Sequence, residues 1–175
     1  GTSREVEWAF VDGPKAFRPE LFAAFRDFLP PGERRDPLAG YLRRLTHPDP
    51  EIHAPAAHIW NAYERMLSEI QPASLAIPTA FGRDTRVPPT AIFEAHYIAN
   101  HFFLEPGELL VNAGRLKGIP GAIIQGRYDL LCPPVSACAL AASWPDATLQ
   151  IVENAGHAMT EPGIMDAMRA AIARL

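Results

Sequence analysis

After residue 118 the sequence alternates between short apolar runs and helical patterns, an order that few folds accept. The run Ile-Pro-Gly-Ala-Ile-Ile-Gln-Gly at 119–126 lies between turn signals and favours a buried parallel strand, and Ala-Thr-Leu-Gln-Ile-Val at 147–152 favours a second one. A helical pattern follows each strand, at 133–144 and at 160–175, the latter with Thr160 as its expected N-cap. Strand, helix, strand and helix at this spacing predict the end of an α/β sheet.

The residues before 118 carry helical patterns and no convincing strand. Two parallel strands do not form a domain by themselves, because such strands expect neighbours on both edges and helices on both faces. We therefore predict a larger α/β protein, in which 1–117 form a helical domain ahead of 118–175, the last strands of the sheet. Helices are expected at 19–29, at 37–45, from an N-cap at Asp49 to about residue 70 with a kink or restart at Pro55, at 89–103 and at 105–116.

Composition excludes several classes of protein. Apolar residues make up 48% of the chain and charged residues 21%, which is ordinary for a globular protein with a buried core. The net charge of −4 argues against a nucleic-acid partner, and no apolar run reaches the roughly 18 residues of a membrane span. Cys132 and Cys138 have neither disulfide-framework nor zinc spacing, so we expect a reducing, cytoplasmic location.

No metal or other cofactor is expected either. The histidine pairs His53/His58 and His96/His101 are each five residues apart, about 140° around a helix, and cannot chelate as an i, i+4 pair does. No glycine-rich phosphate-binding loop occurs in the sequence.

Two loops carry residues that could do chemistry. Asp129 follows the first predicted strand and His157 follows the second, and functional groups gather at the carboxyl ends of parallel strands. A carboxylate that orients an imidazole makes the other ring nitrogen a general base. The alternative from spacing alone is an aspartate that caps the next helix and an exposed loop histidine. Cys132 is expected as a buried neighbour of this loop rather than as a nucleophile.

A set of separated motifs resembles the proline iminopeptidases, α/β-hydrolases that release N-terminal proline from peptides. The resemblance runs from about Trp8 to the end of the chain. The motifs are Ala-Ala-x-x-Trp-x-x-x-Glu at 56–64, Glu-x-His-Tyr-x-x-Asn at 94–100, Gly-Arg-Tyr-Asp-x-x-Cys-Pro at 126–133, Ala-Gly-His at 155–157 and Glu-Pro-Gly at 161–163.

The resemblance implies roles for four residues. Asp129 and His157 would be the acid and base of a Ser-His-Asp triad, and Glu64 and Glu94 would hold the free N-terminal amine of the substrate. The residue types are suitable, because two acids that border apolar helix surface can bind a cationic secondary amine beside an apolar ring. The alternative is that each glutamate is solvated or pairs with an arginine such as Arg83 or Arg127.

The resemblance also implies a nucleophile that this sequence lacks. None of the serines lies in a Gly-x-Ser-x-Gly elbow or follows a predicted strand, and in α/β-hydrolases the nucleophile precedes the acid and the base along the chain. We therefore expect residues 1–175 to be the C-terminal part of a longer enzyme, completed by an N-terminal part and inactive without it.

Two other interpretations stay open. Esterases and epoxide hydrolases share an Asp…His ending, but two carboxylates would not suit a neutral apolar substrate. In a non-catalytic helical binding module, Asp129 and His157 would lie far apart, whereas an enzyme requires hydrogen-bond reach, about 2.6–3.2 Å.

Overall fold

The computed structural model describes residues 3–78, 81 and 86–174. These residues form two compact units, Gly1–Met66 with Pro72–Leu104, and Leu67–Gln71 with Glu105–Leu175. The second unit includes residues 105–117, which the sequence patterns placed with the helical domain, and its helix α7 (Glu108–Asn112) contacts its helix α8 (Pro134–Ser143).

The described part of the first unit is helical. Its helices are α1 (Ser3–Glu7), a π-helical turn (Trp8–Asp12), α2 (Gly13–Phe17), α3 (Pro19–Asp27), a 3-10 turn (Pro31–Glu33), α4 (Pro37–Leu45), the greater part of α5 (Pro50–Ser68), α6 (Pro89–Ala99) and a 3-10 turn (His101–Phe103). The sequence patterns predicted α3 to α6 but not the separate helices before residue 18.

Aromatic rings form the core of the first unit. Phe25 lies between Tyr41 and Tyr63, with ring centroids 4.0 and 3.9 Å apart, and all three side chains are fully buried. Each tyrosine hydroxyl donates to a backbone carbonyl, that of Phe25 at 2.8 Å for Tyr41 and that of Phe10 at 3.1 Å for Tyr63. Burial raises the pKa of both phenols, so the rings fill the core as neutral groups.

The ends of the helices show where local patterns succeed and fail. Helix α4 has the expected bounds, and Asp49 caps α5, since its Oδ1 accepts the Glu51 N–H at 2.9 Å. Helix α5 continues through Pro55 without a restart. Helix α6 ends at Ala99, earlier than expected, because the residues of the turn His101–Phe103 have left-handed backbone, with φ of 50°, 57° and 56°.

The second unit contains the expected strands. β1 (Gly121–Gly126) and β2 (Ala147–Val152) pair in parallel, with Gly121 opposite Ala147 and Gly126 opposite Val152. Helix α8 connects them, and both α8 and α9 (Pro162–Ile172) contact both strands.

Two helix predictions in this unit were wrong in detail. Helix α9 begins at Pro162, and Glu161 rather than Thr160 occupies the N-cap position. The expected helix at 105–116 is divided into α7 and a 3-10 turn (Ala113–Leu116), and it starts late because Gly107 has a left-handed φ of 77°. Within residues 3–78, 81 and 86–174, no helix combines the length and apolar character that a membrane span needs.

Candidate functional site

The parallel pairing of β1 and β2 brings Asp129 and His157 together. Beyond the strand ends, the Arg127 N–H donates to the Val152 carbonyl at 2.9 Å, and the Tyr128 N–H donates to the Ala155 carbonyl at 3.0 Å. These bonds hold the two loops side by side, and His157 Nδ1 lies 3.0 Å from Asp129 Oδ2 and 3.1 Å from Oδ1. The separation between the ring nitrogen and the carboxylate lies within hydrogen-bond reach.

Several donors fix the buried carboxylate of Asp129. Oδ1 accepts the backbone N–H groups of Leu131 at 3.1 Å and of Cys132 at 2.8 Å, and Oδ2 accepts Gln125 Nε2 at 3.2 Å. Gln125 is itself buried and donates to the Cys132 carbonyl at 3.0 Å. Sequence reasoning missed Gln125, although a polar residue inside an apolar strand was a signal that could have found it.

The electrostatics of the pair favour a charged imidazole. The hydrogen bond to Asp129 raises the pKa of His157 from 6.5 to about 10, a bond with the Cys132 thiol acts in the same direction, and partial burial opposes both. Cys132 is exposed, so its expected burial was wrong. With Nδ1 held by the carboxylate, the ring can exchange a proton through Nε2.

Glycines allow the two loops to approach closely. A Cβ on Gly126 would overlap the carbonyl oxygen of Gly156 and lie 2.6 Å from that of Ala155. A Cβ on Gly156 would lie 2.8 Å from the carbonyl oxygen of Ser68. Only glycine fits at both positions without displacing backbone.

The two predicted amine-binding residues lie in the first unit. Glu94, on α6, accepts the indole N–H of Trp60 through Oε2 at 2.6 Å, and Trp60 is fully buried. Glu64 follows Trp60 by four residues on α5, so both lie on one face of the helix, and Glu64 is half-buried between buried Tyr63 and exposed Arg65. Sequence reasoning did not find the bond between Trp60 and Glu94.

Arg127, one of the two arginines considered as partners for these glutamates, pairs with another residue. Arg127 forms a bidentate pair with Glu153, at 2.8 and 3.0 Å, and Arg83 lies outside the described residues. Over the described ranges, no group of three or more histidine, cysteine, aspartate or glutamate side chains could hold a metal ion.

Comparison with known proteins supports the resemblance noted from the motifs. The chain is 37% identical to a probable proline iminopeptidase of Leptolyngbya boryana over 166 residues, which are 94% of this chain and 51% of that protein. It is 37% identical to a proline iminopeptidase of Arabidopsis thaliana over 163 residues, 92% of this chain and 43% of that protein. A Xylella fastidiosa proline iminopeptidase is 34% identical over 170 residues, 94% and 52% respectively.

These similarities confirm that the chain resembles proline iminopeptidases along nearly its whole length. The chain spans about half the length of these curated relatives. No protein-family model matches it.

Proposed function

We propose, on the basis of this similarity, that the chain is the helical cap and the last two strands of an α/β-hydrolase that releases N-terminal proline from peptides. The similarity to proline iminopeptidases supports the substrate class. The observation that carries the chemistry is the contact between Asp129 and His157 at the ends of adjacent parallel strands.

In the proposed reaction, His157 moves a proton and Asp129 orients it. When the ring is neutral, the carboxylate keeps its one proton on Nδ1, so Nε2 can take the proton of a serine hydroxyl that attacks the prolyl carbonyl. The imidazolium then donates this proton to the leaving amine, which leaves the prolyl group bound to the serine as an ester. A water molecule, deprotonated by His157 in the same way, then hydrolyses this ester and releases proline. The serine would come from the amino-terminal part of the enzyme, so we expect residues 1–175 alone to be inactive.

Glu64 and Glu94 would select the substrate by its charge. A prolyl nitrogen at a peptide N-terminus is a cationic secondary amine, and carboxylates form charge-assisted hydrogen bonds with such a group. The bond from Trp60 holds Oε2 of Glu94, which leaves the negative charge of that carboxylate in a defined orientation.

Other interpretations receive less support. The 3.0 Å separation of Asp129 and His157 disfavours a non-catalytic module. A half-buried pair of glutamates disfavours the neutral substrates of esterases and epoxide hydrolases. A cytoplasmic location stays part of the proposal, in keeping with two free cysteines.

The test uses the full-length protein that contains this chain, assayed with a proline anilide and with a neutral ester. The substitution Glu94→Gln keeps an oxygen that can accept the Trp60 N–H but removes the charge. We expect KM for the anilide to rise about 10- to 100-fold, the equivalent of about 1.5–3 kcal/mol, and KM for the ester to change little. Glu20→Gln, which removes an exposed charge on α3 in the same unit, is the control. Equal effects of Glu94→Gln on both substrates would contradict the amine-binding role, and wild-type protein inactive on the anilide would contradict the proposed function.

A further inference from the structure

The backbone that leaves helix α5 is bonded directly to the loop that carries His157. The carbonyl oxygen of Ser68, the last residue of α5, accepts the N–H groups of both His157 and Ala158, each at 2.8 Å. The backbone of His157 is therefore held in two ways. It follows β2 along the chain, and it is hydrogen-bonded to a segment that is distant in sequence.

Glu161 forms hydrogen bonds with both of these segments. Its Oε1 accepts the Ile70 N–H at 3.0 Å, and its own N–H donates to the Ala158 carbonyl at 3.0 Å. Glu161 occupies the N-cap position of α9, where a side chain normally accepts a bond from its own helix, but its carboxylate makes no such bond. Capping of α9 therefore does not explain the position of the Glu161 carboxylate.

The surroundings make these hydrogen bonds important. A cavity of about 640 Å³ is lined by the segment Glu69–Gln71 and by Tyr128, Asn154 and Thr160–Pro162. Open space therefore adjoins this segment on the side of the cavity. A Cβ on Gly156 would lie 2.8 Å from Ser68 O, 3.3 Å from Ile70 N and 3.6 Å from Glu161 Oε1, so all three groups surround that glycine.

We propose that Glu161 is a positioning residue for His157. By holding Ile70, the carboxylate fixes the Ser68 carbonyl two residues earlier, and that carbonyl fixes the backbone of His157 and Ala158. The imidazole then meets Asp129 in one orientation. The role rests on the proposed function, since it concerns the residue to which that function assigns the proton transfer. A bond from a backbone N–H to a carboxylate is charge-assisted and stronger than a neutral one, although the contact needs only an acceptor oxygen.

The experiment compares Glu161→Ala and Glu161→Gln in the full-length protein, with Asp166→Ala, which removes an exposed carboxylate of α9, as the control. The first measurement is amide hydrogen exchange at His157 and Ala158 without substrate. We expect Glu161→Ala to accelerate exchange at both amides about tenfold or more, because the Ser68 carbonyl is no longer held. Glutamine keeps an acceptor and should stay within about twofold of wild type, as should the control.

The second measurement is steady-state kinetics with a proline anilide. We expect Glu161→Ala to lower kcat about tenfold with little change in KM, and Glu161→Gln to restore kcat. Wild-type exchange in Glu161→Ala, faster exchange with unchanged kcat, or equal losses in the alanine and glutamine variants would each overturn the role.

A second pair of variants covers the case in which Glu161→Ala does not fold. Ile70→Pro removes the donor and leaves Glu161 in place, whereas Ile70→Ala keeps the donor. Faster exchange and lower kcat in the proline variant alone would support the role, and wild-type behaviour of that variant would overturn it. If the wild-type protein released no proline, the proposed function would fail, while the exchange measurement would still decide whether Glu161 holds the His157 loop.

Discussion

The carboxylate of Asp129 is the most constrained group of the candidate site. It accepts hydrogen bonds from two backbone amides, from Gln125 and from His157, and its side chain is only 7% exposed. A buried carboxylate is stable only when such bonds replace its hydration. The four donors therefore fix the direction of the carboxylate toward the histidine.

The charge on His157 leads to a prediction about pH. We expect its imidazole to titrate near pH 10 and the Asp129→Asn variant to titrate closer to the ordinary 6.5, because the first cause of the raised pKa is the bond to Asp129. Proton NMR of the ring against pH measures both midpoints. Equal midpoints in the two proteins would show that Asp129 does not hold the proton.

The raised pKa of His157 also makes the stability of the folded protein depend on pH. Because the folded-state pKa is raised, the pair contributes stability that is fully present below pH 6.5 and is lost as the pH rises through about 10. The difference in free energy of unfolding between wild type and Asp129→Asn should therefore shrink over that interval. Urea unfolding at several pH values measures it, and a difference that grows with pH would contradict the interpretation.

Gly126 leads to a prediction about backbone approach. A Cβ there would overlap the Gly156 carbonyl, so Gly126→Ala should separate the two loops, destabilise the protein by about 1–3 kcal/mol and reduce activity more than tenfold. Gly114→Ala is the control, since a Cβ at Gly114 has open space around it. Thermal unfolding and anilide kinetics measure the effects, and a fully active Gly126→Ala protein would contradict them.

At the scale of elements, periodicity and capping residues predicted most helices of the described chain but not all of their ends. The Asp49 cap and the start of α6 at Pro89 followed from local rules. The end of α6 did not, because the turn at His101–Phe103 uses left-handed backbone at three residues that are not glycine. No local sequence pattern predicts such a turn, since residues other than glycine disfavour a left-handed backbone.

That turn stores strain, which leads to a further prediction. His101 has an exposed side chain and a φ of 50°, so His101→Gly should relieve strain without losing buried surface and stabilise the protein by about 1 kcal/mol. His101→Ala keeps the steric penalty and should give no gain. Urea denaturation compares the two, and equal stabilities would show that the backbone carries no strain there.

At the scale of the whole molecule, the sheet within the described residues has two strands, which pair only with each other. A parallel pair is stable when further strands and helices cover it. The relatives, about half of whose length this chain matches, contain the additional residues that could supply such strands.

We therefore predict that the 175-residue chain expressed alone will associate through its unpaired strand edge. Co-expression with the proposed amino-terminal part of the enzyme should yield a monodisperse complex. Light scattering and dye binding to exposed apolar surface measure the difference. A monodisperse, cooperatively unfolding 175-residue chain would contradict the prediction.

The local patterns of the sequence were sufficient to predict β1, α8 and β2 and to place Asp129 and His157 at one edge of the sheet. The reason is that strand and helix periodicities are short-range, and parallel pairing aligns the carboxyl ends of strands. The contacts that hold those side chains required the three-dimensional structure. Trp60 meets Glu94 across 34 residues and Ile70 meets Glu161 across 91, distances over which periodicity carries no information. Nearby sequence therefore decides which helix or strand a residue belongs to. The packing of segments that are distant in sequence decides which other residue it contacts.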